Sequence, residues 1–237
     1  MIKLKEIPWL ILLIYPISMV MSLQKLPLII IIITSILSSI FVLIALYLII
    51  SYEEIGLKNT IKFLIISYVV SYIFEFLGVR YGIPFGKYYY NPKGLGPLLF
   101  GVPLFIPFLW ASLGFFSLAV SNWLLAVLGM VTLDIAFDPL LSYKAKLWVW
   151  ITKGDYYGVP ITNFIGWAIV SFIFYAIYKI NKGKSPKKSV YSVSFYIEYL
   201  VSWIILDFIK GLWLAGLLGI LMGFLFMYLS FFTGIDK

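Results

Sequence analysis

The chain has 237 residues, of which 63% are hydrophobic and only 12% charged, with a formal net charge of +8. A soluble domain carries about a quarter charged residues, so this composition cannot cover a water-facing surface and points to a helical membrane protein. With no cysteine and no histidine, disulfides, thiolate metal sites and histidine-based zinc or catalytic-base chemistry are excluded. Carboxylates are left as the acids, bases and hard-metal ligands.

Stretches 26–52, 98–133 and 159–178 carry no charge at all. About 20 apolar residues cross the hydrocarbon core as a helix. A membrane barrel would instead alternate polar and apolar residues over roughly ten positions. The expected fold is therefore an all-α, polytopic membrane bundle, forming one integral membrane domain over 1–237. Eight spans are expected, at 8–23, 27–51, 60–79, 99–120, 123–143, 159–180, 192–209 and 212–232. The first is short and holds Pro16, so the count is seven or eight. It is read as a retained helix and not a signal peptide, because no small-residue cleavage site follows it. The motif-bearing core is 60–180, flanked by helices in 8–51 and 192–232. The positive charge is read as topology and contact with anionic headgroups, not as nucleic-acid binding. The five lysines of 179–188 are the strongest cue for a cytoplasmic side.

Two loops stand apart, at 78–103 and 142–160. Both are rich in Gly, Pro, Tyr and Trp. Two spans separate them, so they share one side of the membrane, where Tyr and Trp favour the headgroup level. They either form an interfacial aromatic belt or fold back into the bundle. A short repeat runs through them: Gly101-Val102-Pro103 precedes Trp110, and Gly158-Val159-Pro160 precedes Trp167, with the same spacing from Gly to Trp. Spans three–four and five–six would then be two hairpins of one orientation, a parallel repeat that places a site at its interface.

The acids can be taken one by one. Glu6, Glu53, Glu54, Asp155 and Asp236 read as loop or terminal residues in water. Glu198 and Asp207, in the seventh span, would pair with Lys210 or face a polar seam. Glu75 lies near the end of span three, and Asp134 and Asp138 lie in the second half of span five. A spacing of four puts the two aspartates on one helical face. Spans three and five run the same way, so all three acids occupy the same half of the bilayer. A carboxylate at the bilayer centre costs about 2.5–3.5 kcal/mol on insertion scales. Two explanations stand: helix–helix hydrogen bonding, or a site in which a buried carboxyl stays protonated and acts as an acid. Arg80, the one arginine of the chain, would pair with an acid or bind a headgroup. Asn163, at the start of span six, would orient a water or a carboxyl.

The segments FEFLGVRYGIPFGKYYY at 74–90, FGVPLFIPFLW at 100–110, LDIAFDP at 133–139 and WVWITKGDYYGVPITNFIGW at 148–167 resemble the membrane carotenoid hydratase family. This is the bisanhydrobacterioruberin hydratase and carotenoid 1,2-hydratase group of archaea and bacteria. The likeness falls in the central half of the chain; the flanking spans match in hydropathy alone. It implies a multi-pass protein of the cell membrane that needs no cofactor and no metal. The implied partners are the lipid bilayer, an acyclic carotenoid or other long isoprenoid, and other membrane enzymes of the carotenoid pathway. Hydration of a terminal isoprenoid double bond needs a proton on one carbon and water on the other. Glu75, Asp134 and Asp138 are the expected catalytic acids, one giving the proton and a neighbour guiding the water. Tyr81, Tyr88, Trp110, Tyr157, Asn163 and Trp167 are the expected substrate contacts, with aromatic faces against the cation.

Rival readings are a membrane prenyltransferase, with Asp134 and Asp138 holding a magnesium diphosphate, and a carotenoid cyclase, which also begins by protonating an alkene. A proton-coupled transporter is the non-enzyme rival.

Overall fold

The computed structural model describes residues 6–93 and 95–232; Asp236 lies outside them. Among the described residues the helices are α1 (Ile7–Ser22), α2 (Leu28–Leu37), α3 (Ile40–Ile55), α4 (Leu57–Tyr81), α5 (Ile106–Val120), α6 (Trp123–Asp138), α7 (Ile161–Ile180), α8 (Val190–Ile209) and α9 (Trp213–Phe232). The strands are short: β1 (Tyr88–Tyr90), β2 (Leu98–Leu99), β3 (Val102–Pro103) and β4 (Trp148–Trp150).

The fold is an all-α polytopic membrane bundle. Five helices are long and apolar enough to cross a bilayer: α4, α6 with its extension to Lys144, α7, α8 and α9. Counting α2 and α3 together adds a sixth, and α1 and α5 are shorter apolar helices. The outward residues are those a lipid solvent accepts, such as Leu217, Ile220, Leu221 and Phe224 on α9.

Two expected spans are corrected. The span at 27–51 is broken into α2 and α3, which meet at 41°. Two serines cause the break. Ser38 Oγ donates to the Thr34 carbonyl, 2.8 Å away, and Ser39 caps α3 by accepting from the Val42 amide. Such bonds compete with the helical ladder. The span at 99–120 becomes a helix only at Ile106. Ahead of it, β2 and β3 form a hairpin whose two turn residues, Phe100 and Gly101, both have positive φ (50° and 87°), as a tight two-residue hairpin loop requires.

Helix α6 does not stop at Asp138 but widens into a π-helical turn, Pro139–Lys144. Proline has no N–H, so the carbonyl of Ile135, one turn earlier, loses its helical donor. The Tyr156 hydroxyl donates to that carbonyl instead, at 2.8 Å.

Helices α4, α5, α6 and α7 form the central ring: α4 packs on α5 and α7, and α6 packs on the same two. Around it, α3 lies on α4 and α5, α8 on α5 and α6, α9 on α6 and α8, and α1 on α8. At one end the lysine-rich segment is tied to the α3–α4 junction, Lys62 Nζ donating to the Asn181 carbonyl (2.7 Å) and Lys184 Nζ to that of Glu54 (3.0 Å). At the other end the two aromatic loops meet. Strand β1 pairs antiparallel with β4, Tyr88 opposite Trp150 and Tyr90 opposite Trp148.

Candidate active site

Alternate residues of a strand share a face. The β1–β4 pair therefore turns Tyr88, Tyr90, Trp148 and Trp150 toward the bundle, while Tyr89 faces out and is 49% exposed. Beneath them the ends of α4 and α6 carry the acids. Glu75, Asp134 and Asp138 are buried, at 5%, 1% and 1% exposure.

Glu75 is held from three directions. Tyr88 and Tyr90 donate their hydroxyls to Oε2, the second at 2.7 Å, and Trp110 Nε1 donates to Oε1 at 2.8 Å. Burial first, and then the Glu75 carboxylate beside them, push both phenols well above their ordinary pKa. They remain neutral hydrogen-bond donors. Gly78, one turn past Glu75, makes this contact geometrically feasible: a Cβ there would sit 2.8 Å from the Tyr88 ring.

Asp138 is held in the same manner. Trp148 Nε1 (2.8 Å) and Trp150 Nε1 (3.4 Å) donate to its Oδ1, and Asn163 Nδ2 donates to its Oδ2 at 2.9 Å. The same amide donates to Asp134 Oδ2 at 2.6 Å. One amide thus bridges the two aspartates, which lie one turn apart on α6.

The three acids, the four strand aromatics, Trp110, Asn163 and Trp167 line one cavity, together with Phe85, Ile106, Leu109 and Phe137. The indoles of Trp110 and Trp167 stack across it, with centroids 3.9 Å apart. About 40 Å³ is open to the centres of water molecules. A single water needs roughly 10–15 Å³, so the cavity has room for about three waters or one small group and none for a long chain. Among the described residues no lysine or arginine lines it, and no group of three acids is placed to hold a metal ion.

Of the residues singled out in the sequence, Glu75, Tyr88, Trp110, Asp134, Asp138, Asn163 and Trp167 are brought together. Two are not. Tyr81 is 63% exposed and packs edge-on against Phe76 on the outside of α4. It follows Glu75 by six residues, which turns it well off the acid's face. Tyr157 lies outside the cavity, and its hydroxyl accepts from the Leu214 amide at the start of α9. Asp207 is buried, and among the described residues neither carboxyl oxygen has a hydrogen-bond partner, Lys210 included. Arg80 is exposed at the end of α4. Tyr90, Trp148 and Trp150 were missed as donors. Their signal is the alternation Tyr-x-Tyr and Trp-x-Trp, which a pair of inward-facing strands produces.

Residues 30–229 match the family model described as "Carotenoid biosynthesis protein". The chain belongs to the carotenoid biosynthesis protein family. Within the matched stretch lie both aromatic loops, all three acids and every side chain of the cavity. This family member is 27% identical over 159 residues to the bisanhydrobacterioruberin hydratase of Haloarcula japonica, an alignment covering 57% of this chain and 50% of that protein. The chain thus spans about half the length of the curated relative it matches. No solved structure matches it.

Proposed function

We propose that this protein adds water to a terminal carbon–carbon double bond of an acyclic carotenoid, or of another long isoprenoid, by carboxylic-acid protonation. The observation that carries this reading is the cavity itself. It holds three buried carboxyls with neutral N–H and O–H donors around them, has room for water, and is walled by aromatic rings. The name of the Haloarcula japonica relative supports the same reaction class.

The chemistry follows from those parts. A carboxylic acid gives its proton to one alkene carbon, and the electron pair of the π bond forms the new C–H bond. The other carbon becomes a tertiary cation. Anionic carboxylates and the faces of Trp110 and Trp167 stabilise that cation, a cation over an aromatic face gaining about 2 kcal/mol or more when desolvated. Water attacks the cation, and its released proton restores the acid. The end group of the substrate occupies the cavity, and the rest of the polyene lies along apolar helix faces in lipid. A multi-pass position in the cell membrane, where such substrates dissolve, suits this assignment. A prenyltransferase fits less well, because diphosphate recognition calls for cationic groups or metal-holding carboxylates.

The test is pigment analysis by chromatography and mass spectrometry in cells that make lycopene or its elongated relatives, with Asp138→Asn as control. A new pigment heavier by one water, absent in the control, is the expected result. An isomer of unchanged mass would replace hydration by cyclisation. Unchanged pigments across several acyclic carotenoids would overturn the carotenoid assignment.

A further inference from the structure

The two halves of the site are built to one plan. In each, an acid near the end of one helix is bonded by two alternate aromatics of its own strand. A third donor comes from its own second helix. Glu75 takes Tyr88, Tyr90 and Trp110; Asp138 takes Trp148, Trp150 and Asn163. The strands pair with each other, and the tryptophans nine residues after each Gly-Val-Pro glycine stack on each other.

Matching Glu75 with Asp138 and Trp110 with Trp167 exposes two differences one turn earlier on each helix. Where the second half has Asp134, the first has Ser71, whose hydroxyl bonds the Tyr68 carbonyl of its own helix. Where the second half has Asn163, the first has Ile106. Of the three cavity acids, Asp134 also has the fewest donors. Glu75 and Asp138 accept three hydrogen bonds each, which favours the charged form of a carboxyl. Asp134 accepts one, from Asn163.

We propose that the two halves divide the reaction: Asp134, oriented by Asn163, is the proton donor, and the Ile106 side of the cavity seats the apolar end of the substrate. This rests on the hydration reading and deepens it. The O–H bond of Asp134 breaks as the C–H bond forms. The proton lost by the attacking water returns to Asp134, so the protein ends as it began. Glu75 and Asp138 stay anionic and face the cation.

Two measurements on the full chain in membranes test this. The first reads product from lycopene. Asp134→Asn and Asp134→Ser, the latter installing the first half's own residue, lower the yield about 10²–10⁴-fold, the usual contribution of a general acid. Ile106→Asn weakens substrate binding about tenfold or more, raising the apparent KM with a smaller change in kcat. The second reads the infrared C=O stretch of protonated carboxylic acids without substrate, with Asp207→Asn as reference for the other buried acid. A component lost in both Asp134 variants and retained in Glu75→Gln and Asp138→Asn is expected. If the Asp134 variants keep that band, or make product at the wild-type rate, the proposal falls. An Ile106→Asn variant with unchanged KM removes the seating role. Inactivity of the wild type toward every carotenoid, with the band behaving as expected, would sink the hydration reading and leave the proton on Asp134.

Discussion

Trp110 and Trp167 stack with ring centroids 3.9 Å apart and planes 24° from parallel, although 57 residues separate them in the chain. Trp110 also donates to Glu75, so the stack couples the seam between the halves to one acid. Trp110→Phe keeps a ring but removes the Nε1 donor. Product should fall while the protein still accumulates in the membrane. A double-mutant cycle of Trp110→Leu with Trp167→Leu, which removes both rings, should return a coupling of about 0.5–1.5 kcal/mol in thermal stability, the range for aromatic pairs.

Gly78 offers a sharper geometric test. A methyl group there would lie 2.8 Å from the Tyr88 ring and 2.9 Å from Phe85, and both rings are fixed by packing. Gly78→Ala should cost about 1–3 kcal/mol, as overpacking does, and should move the Tyr88 hydroxyl off Glu75. The measurements are the melting temperature and the product yield, and both should drop.

The Tyr156 hydroxyl and Pro139 should behave as a coupled pair. In Tyr156→Phe the Ile135 carbonyl loses its donor, at a cost of about 1–3 kcal/mol for an unsatisfied buried group. Replacing Pro139 by Ala supplies a backbone N–H, so the same Tyr156→Phe change should cost less in that background. Equal costs in both backgrounds would show that the hydroxyl does not compensate for the proline.

Alkaline titration should find Tyr88 and Tyr90 silent. Their raised pKa means that the folded state keeps protons which the unfolded chain releases near pH 10. Stability is therefore unaffected by these groups below about pH 10 and falls as pH rises beyond it. Tyrosinate absorbance should show the same folded-state amplitude in the wild type and in Tyr88→Phe, and the steep loss of stability above about pH 10 should soften in the Tyr88→Phe, Tyr90→Phe double variant.

Much of this arrangement is legible in the chain because the bilayer writes in plain terms. Uncharged runs mark the spans, and an acid inside one is costly enough to stand out, as Glu75, Asp134 and Asp138 do. The Gly-Val-Pro repeat marks the two hairpins whose tryptophans stack. Less is visible where short-range chemistry overrides hydropathy. The serines at 38 and 39 break a run that is apolar on both sides, and the tight turn at Phe100 and Gly101, both with positive φ, makes 98–103 a hairpin that delays α5. Tyr90, Trp148 and Trp150 resemble interfacial aromatics until the strands are paired, since three residues are too few to establish a period. From composition alone, Tyr81 and Tyr88 are equivalent. Helical rotation turns Tyr81 outward, whereas strand β1 turns Tyr88 inward.

The donors of each half come from within that half, and this bears on how the chain enters the membrane. Glu75 finds Tyr88, Tyr90 and Trp110 within 35 residues, and Asp138 finds Trp148, Trp150 and Asn163 within 25. During synthesis the first hairpin can therefore compensate its own acid before the second has left the ribosome. Pairing within each hairpin would spare Glu75 and Asp138 the cost of inserting as unpaired carboxylates. The docking of the two finished halves is left to the packing of α4 on α7 and α5 on α6, the tryptophan stack and the strand pair.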